Sequence, residues 1–158
     1  FVLTGGLSLS VKTNIGKFVC PPEVGQPSDK TFYYYFKDLI DENYVNEEIF
    51  KNLVLDKVHL LIPIYLKYLF DSDYLLWIYK KEKYYYKIIP KNYGSDFEWE
   101  KENFSFSNDS VEGWNECNTL RYNDITIGQF QVHRNRNCYK FRFQFPNLIN
   151  LIKVGDEK

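Results

Sequence analysis

The strongest constraint on the fold is an alternating pattern near the C-terminal end, "NDITIGQFQVHRNRNCYKFRFQF", residues 123–145. Successive side chains of a strand point to opposite faces, so this alternation of apolar and polar residues predicts strands with one buried face. In the first half the apolar phase changes at Gly128-Gln129, which predicts a β-bulge within a two-stranded hairpin. In the second half the apolar face consists of Tyr139, Phe141, Phe143 and Phe145.

The opposite face of this hairpin is polar and basic, although the whole chain has a net charge of −1. Arginine, asparagine and glutamine side chains can read base edges, and a two-stranded ribbon fits the major groove of DNA. The pattern fits a DNA contact, and the alternative is a solvated hairpin face with a polar tip, which is the usual meaning of such a run. The candidate DNA-binding residues are Gln131, His133, Arg134, Asn135, Arg136, Lys140 and Arg142, together with Asn14 from an early strand.

The first half of the chain contains helical patterns. A first helix is predicted after a cap at Ser28 or Asp29. A second helix begins after Asn46, and Pro63 predicts a kink or a break within residues 47–70. Strands are predicted at 1–3 and 7–14 around a Gly-Gly turn, at 74–80 and 83–89, and in short pieces at 97–99 and 104–106, with a short helix at 148–152.

These elements predict an α/β (α+β) fold, with a central mixed sheet flanked by helices and a β-rich C-terminal half. The length of 158 residues is typical of a single domain.

Three cysteines in an odd, widely spaced set argue against a disulfide framework or a zinc site and favour a reducing, cytoplasmic setting. The longest apolar run, residues 58–70, is too short and interrupted to span a bilayer, so no membrane contact is expected. An initial Phe1 indicates the C-terminal part of a longer chain.

The early strand carries Lys12 in the run Ser10-Val11-Lys12. Phosphodiester hydrolysis needs a metal ion and a cation near the attacking water. A strand that ends in carboxylate-x-lysine supplies both on one face, because residues i and i+2 point the same way. Here serine stands at the carboxylate position. The alternative is that Lys12 is an ordinary solvated residue on the polar side of a surface strand.

Two segments together carry a family resemblance. "SLSVKTNIGKFVCPPEVGQPSDKTF" (8–32) and "ITIGQFQVHRNRNCYKFRF" (125–143) resemble type II restriction endonucleases of the PD-(D/E)XK fold. The resemblance implies that Lys12 is the catalytic lysine and that Ser10 occupies the second acidic position. It places the first metal-binding aspartate at or just before Phe1, so this residue either lies upstream or is lacking. Glu23 would then contribute a substitute carboxylate, and Gln26 would orient water or phosphate. The alternative for Glu23 is an ordinary exposed residue of the loop.

The resemblance implies sequence-specific, Mg²⁺-dependent cleavage of double-stranded DNA by a homodimer, with residues 1–158 as one nuclease-like domain and residues 119–145 as its DNA-reading hairpin. Two other functions stay open. One is a non-catalytic DNA-binding module or degenerate nuclease, which the missing acidic residue favours. The other is a protein-interaction domain that uses a tyrosine-rich surface, since 14 residues are Tyr.

Overall fold

The computed structural model describes residues 1–14 and 16–153, and it confirms a mixed α+β fold. Its strands form two sheets rather than one central sheet. The helices are α1 (Asp29–Phe36), α2 (Glu47–Leu69) and α3 (Phe145–Leu151). The strands are β1 (Leu9–Asn14), β2 (Phe18–Val19), β3 (Tyr74–Lys80), β4 (Tyr84–Pro90), β5 (Phe104–Phe106), β6 (Cys117–Tyr122), β7 (Ile125–His133) and β8 (Cys138–Gln144).

Both predicted helix caps are confirmed. The Ser28 hydroxyl accepts a hydrogen bond from the backbone N–H of Thr31 at 3.3 Å, and α1 begins at the next residue. The Asn46 side chain accepts one from the N–H of Ile49 at 2.8 Å, at the start of α2. Each cap satisfies a backbone donor that the first turn of a helix leaves unpaired.

The kink predicted in the second helix lies at Lys57 rather than at Pro63. Lys57 has non-helical angles (φ −115°, ψ 23°), and its Nζ donates to the carbonyl of Leu39 at 3.0 Å. Pro63 stays inside a helical segment because Ile62 and Leu66, on either side of it, are buried in the core. Tertiary packing therefore outweighs the hydrogen bond that proline removes.

The smaller sheet has the strand order β1-β3-β4, with β1 parallel to β3 and β3 antiparallel to β4. The strand predicted at 1–3 is only an isolated bridge from Val2 to Ser8 across the Gly5-Gly6 turn. One face of this sheet is apolar and open, with Tyr84, Tyr86 and Ile88 exposed.

The larger sheet is antiparallel in the order β2-β8-β7-β6-β5. The predicted bulge is present one residue early: the pairs Leu120–Gly128 and Arg121–Thr126 leave Ile127 as the extra residue. The piece predicted at 104–106 is strand β5, whereas 97–99 forms no strand. Those residues instead pack aromatic side chains against Tyr122.

The core lies between α1 and α2 on one side and the inner face of the larger sheet on the other. Phe50 of α2 stacks on Tyr139 at 4.6 Å between ring centroids, and Tyr65 contacts Phe141 at 4.5 Å. This inner face is the apolar face that the alternating pattern predicts, so the outer face of the hairpin is polar. The helix predicted at 148–152 is α3, which begins at Phe145. No helix in the described part of the chain combines the length and hydropathy that a bilayer crossing requires.

Candidate active site and nucleic-acid interface

Lys12 lies in the middle of β1 and is half-buried rather than freely solvated. Its partner across the parallel pair is Trp77, and the partner of Ser10 is Leu75. Trp77 and Leu75 are both buried, so Ser10 and Lys12 share the side of the small sheet that faces the interior. Burial lowers the pKa of Lys12, since the charged form loses hydration.

The ammonium group of Lys12 donates to the backbone carbonyl of Cys20 at 3.2 Å. The amide of Gln26 reaches the same residue, at 3.6 Å from Nε2 to the Cys20 thiol. The structure therefore brings Lys12 and Gln26 to one short segment just after β2. Ser10 lies two positions before Lys12 on the same strand face.

Glu23 lies in the exposed loop after β2 and has a left-handed backbone (φ 60°). Its carboxylate accepts a hydrogen bond from the hydroxyl of Tyr35 on α1 at 2.6 Å. This contact raises the pKa of Tyr35 to about 12, because the hydroxyl proton is held by the carboxylate. In the described geometry Glu23 is thus directed to α1, and no contact joins it to Lys12.

The described residues contain no group of three or more histidine, cysteine, aspartate or glutamate side chains that could hold a metal ion. Mg²⁺ is usually bound through one or two carboxylates together with water and substrate phosphates. The groups around Lys12 are instead the Ser10 hydroxyl, the Cys20 carbonyl and the Gln26 amide. These neutral groups do not form a magnesium site by themselves.

The outer face of the β7–β8 hairpin carries the polar side chains that the alternation predicts. Gln129 lies opposite Arg142 and Gln131 lies opposite Lys140. We call the set Gln129, Gln131, His133, Lys140, Arg142 and Gln144 the polar face.

Arg142 is held by Gln129 of the polar face and by Phe18 of β2. Its guanidinium lies over the ring of Phe18 at 4.3 Å and donates from Nε and Nη2 to Gln129 Oε1 at 3.2 and 2.7 Å. A guanidinium has five N–H donors, so these two bonds leave donors for a ligand. Sequence reasoning missed the role of Phe18, which lies outside every predicted strand and helix, because β2 is only two residues long.

Phe18 also links the polar face to Lys12. Cys20, whose carbonyl accepts from Lys12, follows β2 directly. Farther along the loop, the Gly25 carbonyl accepts from the N–H of Phe141 at 2.8 Å, so the loop lies along the edge of β8. Lys12 and Arg142 are therefore joined through one stretch of chain, residues 18–20.

At the tip of the hairpin, the candidate residues differ in their contacts. Arg134 makes a bidentate ion pair with Glu47, from Nε to Oε2 at 2.8 Å and from Nη2 to Oε1 at 2.9 Å. The Arg134 contact lowers the pKa of Glu47 to about 2. Arg136, Asn135 and His133 are exposed.

The two remaining candidate DNA-binding residues are Lys140 and Asn14. Lys140 is half-buried, across from Gln131 on the polar face. Asn14 ends β1, and its side chain lies outside what the structure describes.

Comparison with known proteins gives one informative similarity. The chain matches no protein-family model and no solved structure. It is 31% identical over 146 residues to the protein described as Type II restriction enzyme CviAII from Paramecium bursaria Chlorella virus 1, with 90% of this chain covered. The chain spans 41% of the length of that relative.

Proposed function

We propose that this chain forms part of a type II restriction endonuclease that cleaves double-stranded DNA at a specific sequence. The observation that carries the proposal is the 31% identity to a type II restriction enzyme over most of the chain. The geometry supports it, because Lys12 is half-buried and contacts Cys20, two residues after the Phe18 ring on which Arg142 of the polar face lies.

Lys12 is proposed as the catalytic lysine, as in the PD-(D/E)XK fold. Its single described hydrogen bond goes to the neutral carbonyl of Cys20, so the charge is not neutralised by a described carboxylate. An ammonium in this position stabilises negative charge on a phosphate. Its lowered pKa also favours proton exchange with the attacking water. Ser10 and Gln26 would orient that water or a phosphate oxygen.

Mg²⁺ is proposed as the cofactor because hydrolysis of a phosphodiester builds charge that a divalent ion neutralises. Since the groups around Lys12 do not form a magnesium site, the carboxylates would come from other residues. Glu23 would contribute only if it left Tyr35. Cleavage that persists in excess chelator would contradict the magnesium proposal.

The polar face and the exposed hairpin tip are proposed to bind the duplex. Arg142 and Lys140 supply cations, and the side chains of Gln131 and Asn135 supply amides that can read bases.

We also propose a homodimer, because two-fold symmetry in a protein matches a palindromic site. A sedimentation measurement that finds only monomers on and off DNA would contradict the dimer. The three free thiols fit a reducing, cytoplasmic setting.

The decisive test replaces Lys12 with methionine, which retains the length of the side chain and removes the charge. Lys12→Met is expected to lower plasmid cleavage in Mg²⁺ by about 100-fold or more, while the DNA dissociation constant stays within about threefold. The matched control is Lys17→Met, because Lys17 is an exposed lysine that directly precedes β2. Equal cleavage by both variants would remove Lys12 from the catalytic role.

The second candidate is a DNA-binding module without cleavage. The lack of a carboxylate cluster among the described residues favours it. Salt-dependent DNA binding by the unmodified protein, with no cleavage in Mg²⁺, would support this function over the nuclease.

The third candidate function is a protein-interaction domain, favoured by the open apolar face around Tyr84, Tyr86 and Ile88. It predicts no salt-dependent affinity for DNA.

A further inference from the structure

The smaller sheet has one face on the core and one face that the described part of the chain leaves uncovered. Side chains alternate along β3, so Leu75 and Trp77 are buried toward the core and the residues between them point away from it. The pairing of β3 with β1 and β4 extends the uncovered side across all three strands. We call the residues on this side the open sheet face: Val11, Leu76, Ile78, Tyr84, Tyr86 and Ile88.

The sequence of β3 is typical of a strand that is buried on both sides. Residues 74–79 read Tyr-Leu-Leu-Trp-Ile-Tyr, an unbroken apolar and aromatic run. A strand with one solvated face alternates apolar and polar residues, whereas parallel strands that are covered on both faces read as continuous apolar runs. β3 is parallel to β1, and the open sheet face therefore calls for a partner.

The size of the uncovered surface fits a protein dimer. Phe1 extends it beyond β1, because its carbonyl accepts from the N–H of Leu9 at 2.8 Å and its side chain lies on the same side as Leu9. Phe1, Tyr74, Tyr84 and Tyr86 are 84%, 38%, 69% and 72% exposed. At about 200 Å² for a whole aromatic side chain, these four present roughly 500 Å², and the aliphatic residues between them add to it. A monomer rarely exposes more than a few hundred Å² of contiguous apolar surface, whereas each partner in a standard interface buries about 800 Å².

The distribution of charge favours a second copy of the same face. The open sheet face contains no charged residue, and Lys80 lies at its end, over the ring of Tyr84 at 5.6 Å. Lys81 and Lys83 follow in the turn between β3 and β4. When two copies pack with their strands antiparallel across a two-fold axis, these lysine-rich turns lie at opposite ends and the uncharged centres meet. Homodimer interfaces have this character, with an apolar, aromatic centre and charge at the rim.

We propose that the open sheet face is the interface between two copies of this chain. Lys12 lies on the opposite side of β1, and the polar face belongs to the larger sheet, so neither forms part of this interface. The inference deepens the homodimer of the proposed function by assigning it a surface, and it does not depend on DNA cleavage.

The experiment is sedimentation equilibrium of the 158-residue chain at micromolar concentrations, without DNA or Mg²⁺. The unmodified chain should be dimeric. Tyr86→Glu and Ile88→Glu should each weaken the dimer about 30-fold or more, because each places an unpaired charge at the centre of an apolar interface. Both residues are exposed in a single copy, so far-UV circular dichroism of the two variants should match that of the unmodified chain.

Tyr44→Glu is the matched control, because Tyr44 is an exposed tyrosine in the segment before α2 and the change in charge is the same. It should leave the dimer unchanged. An unmodified chain that stays monomeric overturns the inference. A dimer that Tyr86→Glu and Ile88→Glu form as tightly as Tyr44→Glu also overturns it, and places the homodimer on another surface. Cleavage assays test the nuclease separately, since neither result depends on activity.

Discussion

Arg142 is held in a single orientation on the polar face by Phe18 beneath it and Gln129 beside it. An arginine that is already ordered loses little side-chain entropy when it meets a phosphate or a guanine. Gln129 is therefore proposed as a positioning residue, which acts through Arg142 rather than by touching DNA itself.

Gln129→Ala is accordingly expected to weaken DNA binding about threefold, because Arg142 must then be ordered on binding. Arg142→Ala should weaken binding by about 1–3 kcal/mol if it reads a base, and it should relax specificity at one position of the site. The measurement is a fluorescence anisotropy titration with cognate and single-substituted duplexes. The double variant should be no weaker than Arg142→Ala alone. Additive losses would contradict the positioning role of Gln129.

At the scale of single residues, alternation predicted which side chains share a face, but not which face is buried. Ser10 and Lys12 do lie on one side of β1. That side faces the interior because β1 pairs in parallel with β3, whose Leu75 and Trp77 are buried. A pairing partner some 65 residues away cannot be inferred from a local sequence pattern. For the same reason, the ion pair between Arg134 and Glu47 could not be predicted from neighbouring residues.

The contact between Arg134 and Glu47 ties the hairpin tip to the first turn of α2. Lys51, one turn further along the same helix, adds a second cation at 2.8 Å from Glu47. A carboxylate with a lowered pKa stabilises the folded state above its unfolded pKa, and this stabilisation is lost as the pH falls through the folded pKa. For Glu47 the pH window runs from 4.5 down to about 2.

Glu47→Gln should therefore lower the midpoint of urea unfolding at neutral pH. The difference from the unmodified protein should shrink steadily as the pH falls from about 5 to about 3, because protonation removes the advantage of the carboxylate. Glu48→Gln is the matched control: the neighbouring glutamate is in the same first turn, and no ion pair is described for it. A difference that stays constant across this pH range would contradict the role of the ion pair.

The bulge in β7 imposes a second requirement on this hairpin. A Cβ on Gly128 would lie 2.8 Å from the Phe141 ring and 2.9 Å from the carbonyl of Arg142. Such contacts are too short for carbon, so a larger residue must push β7 and β8 apart.

Gly128→Ala is thus expected to destabilise the fold by about 1–3 kcal/mol, the usual range for overpacking. Gly16→Ala is the control, since a Cβ at Gly16 meets nothing within 4 Å. Urea unfolding measures both. An equal change in the two variants would show that the close packing at the bulge is not rigid.

At the scale of elements, local signals were sufficient where local chemistry decides the structure. The caps at Ser28 and Asn46 and the phase change in β7 are read directly from neighbouring residues. The kink at Lys57 was not predicted, because it accompanies a contact with the distant carbonyl of Leu39. The irregular segment at 97–99 likewise follows tertiary aromatic packing rather than its own alternation.

In the folded molecule Lys12 and the polar face, which are distant in sequence, contact the same short segment of chain. The sequence alone could only suggest that they act together. Residues 18–20 connect Lys12 to the polar face, and the loop that follows lies along β8. The composition could not show this, since the net charge is close to zero. The carboxylates that a magnesium ion needs were expected near the start of the chain, and the described residues around Lys12 do not provide them.

Lys12 and the polar face are proposed to contact the same duplex, and two native cysteines allow a direct test. The carbonyl of Cys20 accepts a hydrogen bond from Lys12, and Cys117 of β6 lies directly opposite Gln131 of β7 on the polar side. Each is retained alone, with the other cysteines changed to serine, and labelled with a photo-crosslinker in the presence of one cognate duplex. Crosslinks are expected from both positions to the same duplex, each competed away by unlabelled cognate DNA. A label on Cys117 that crosslinks while a label on Cys20 does not would show that Lys12 lies away from the bound duplex.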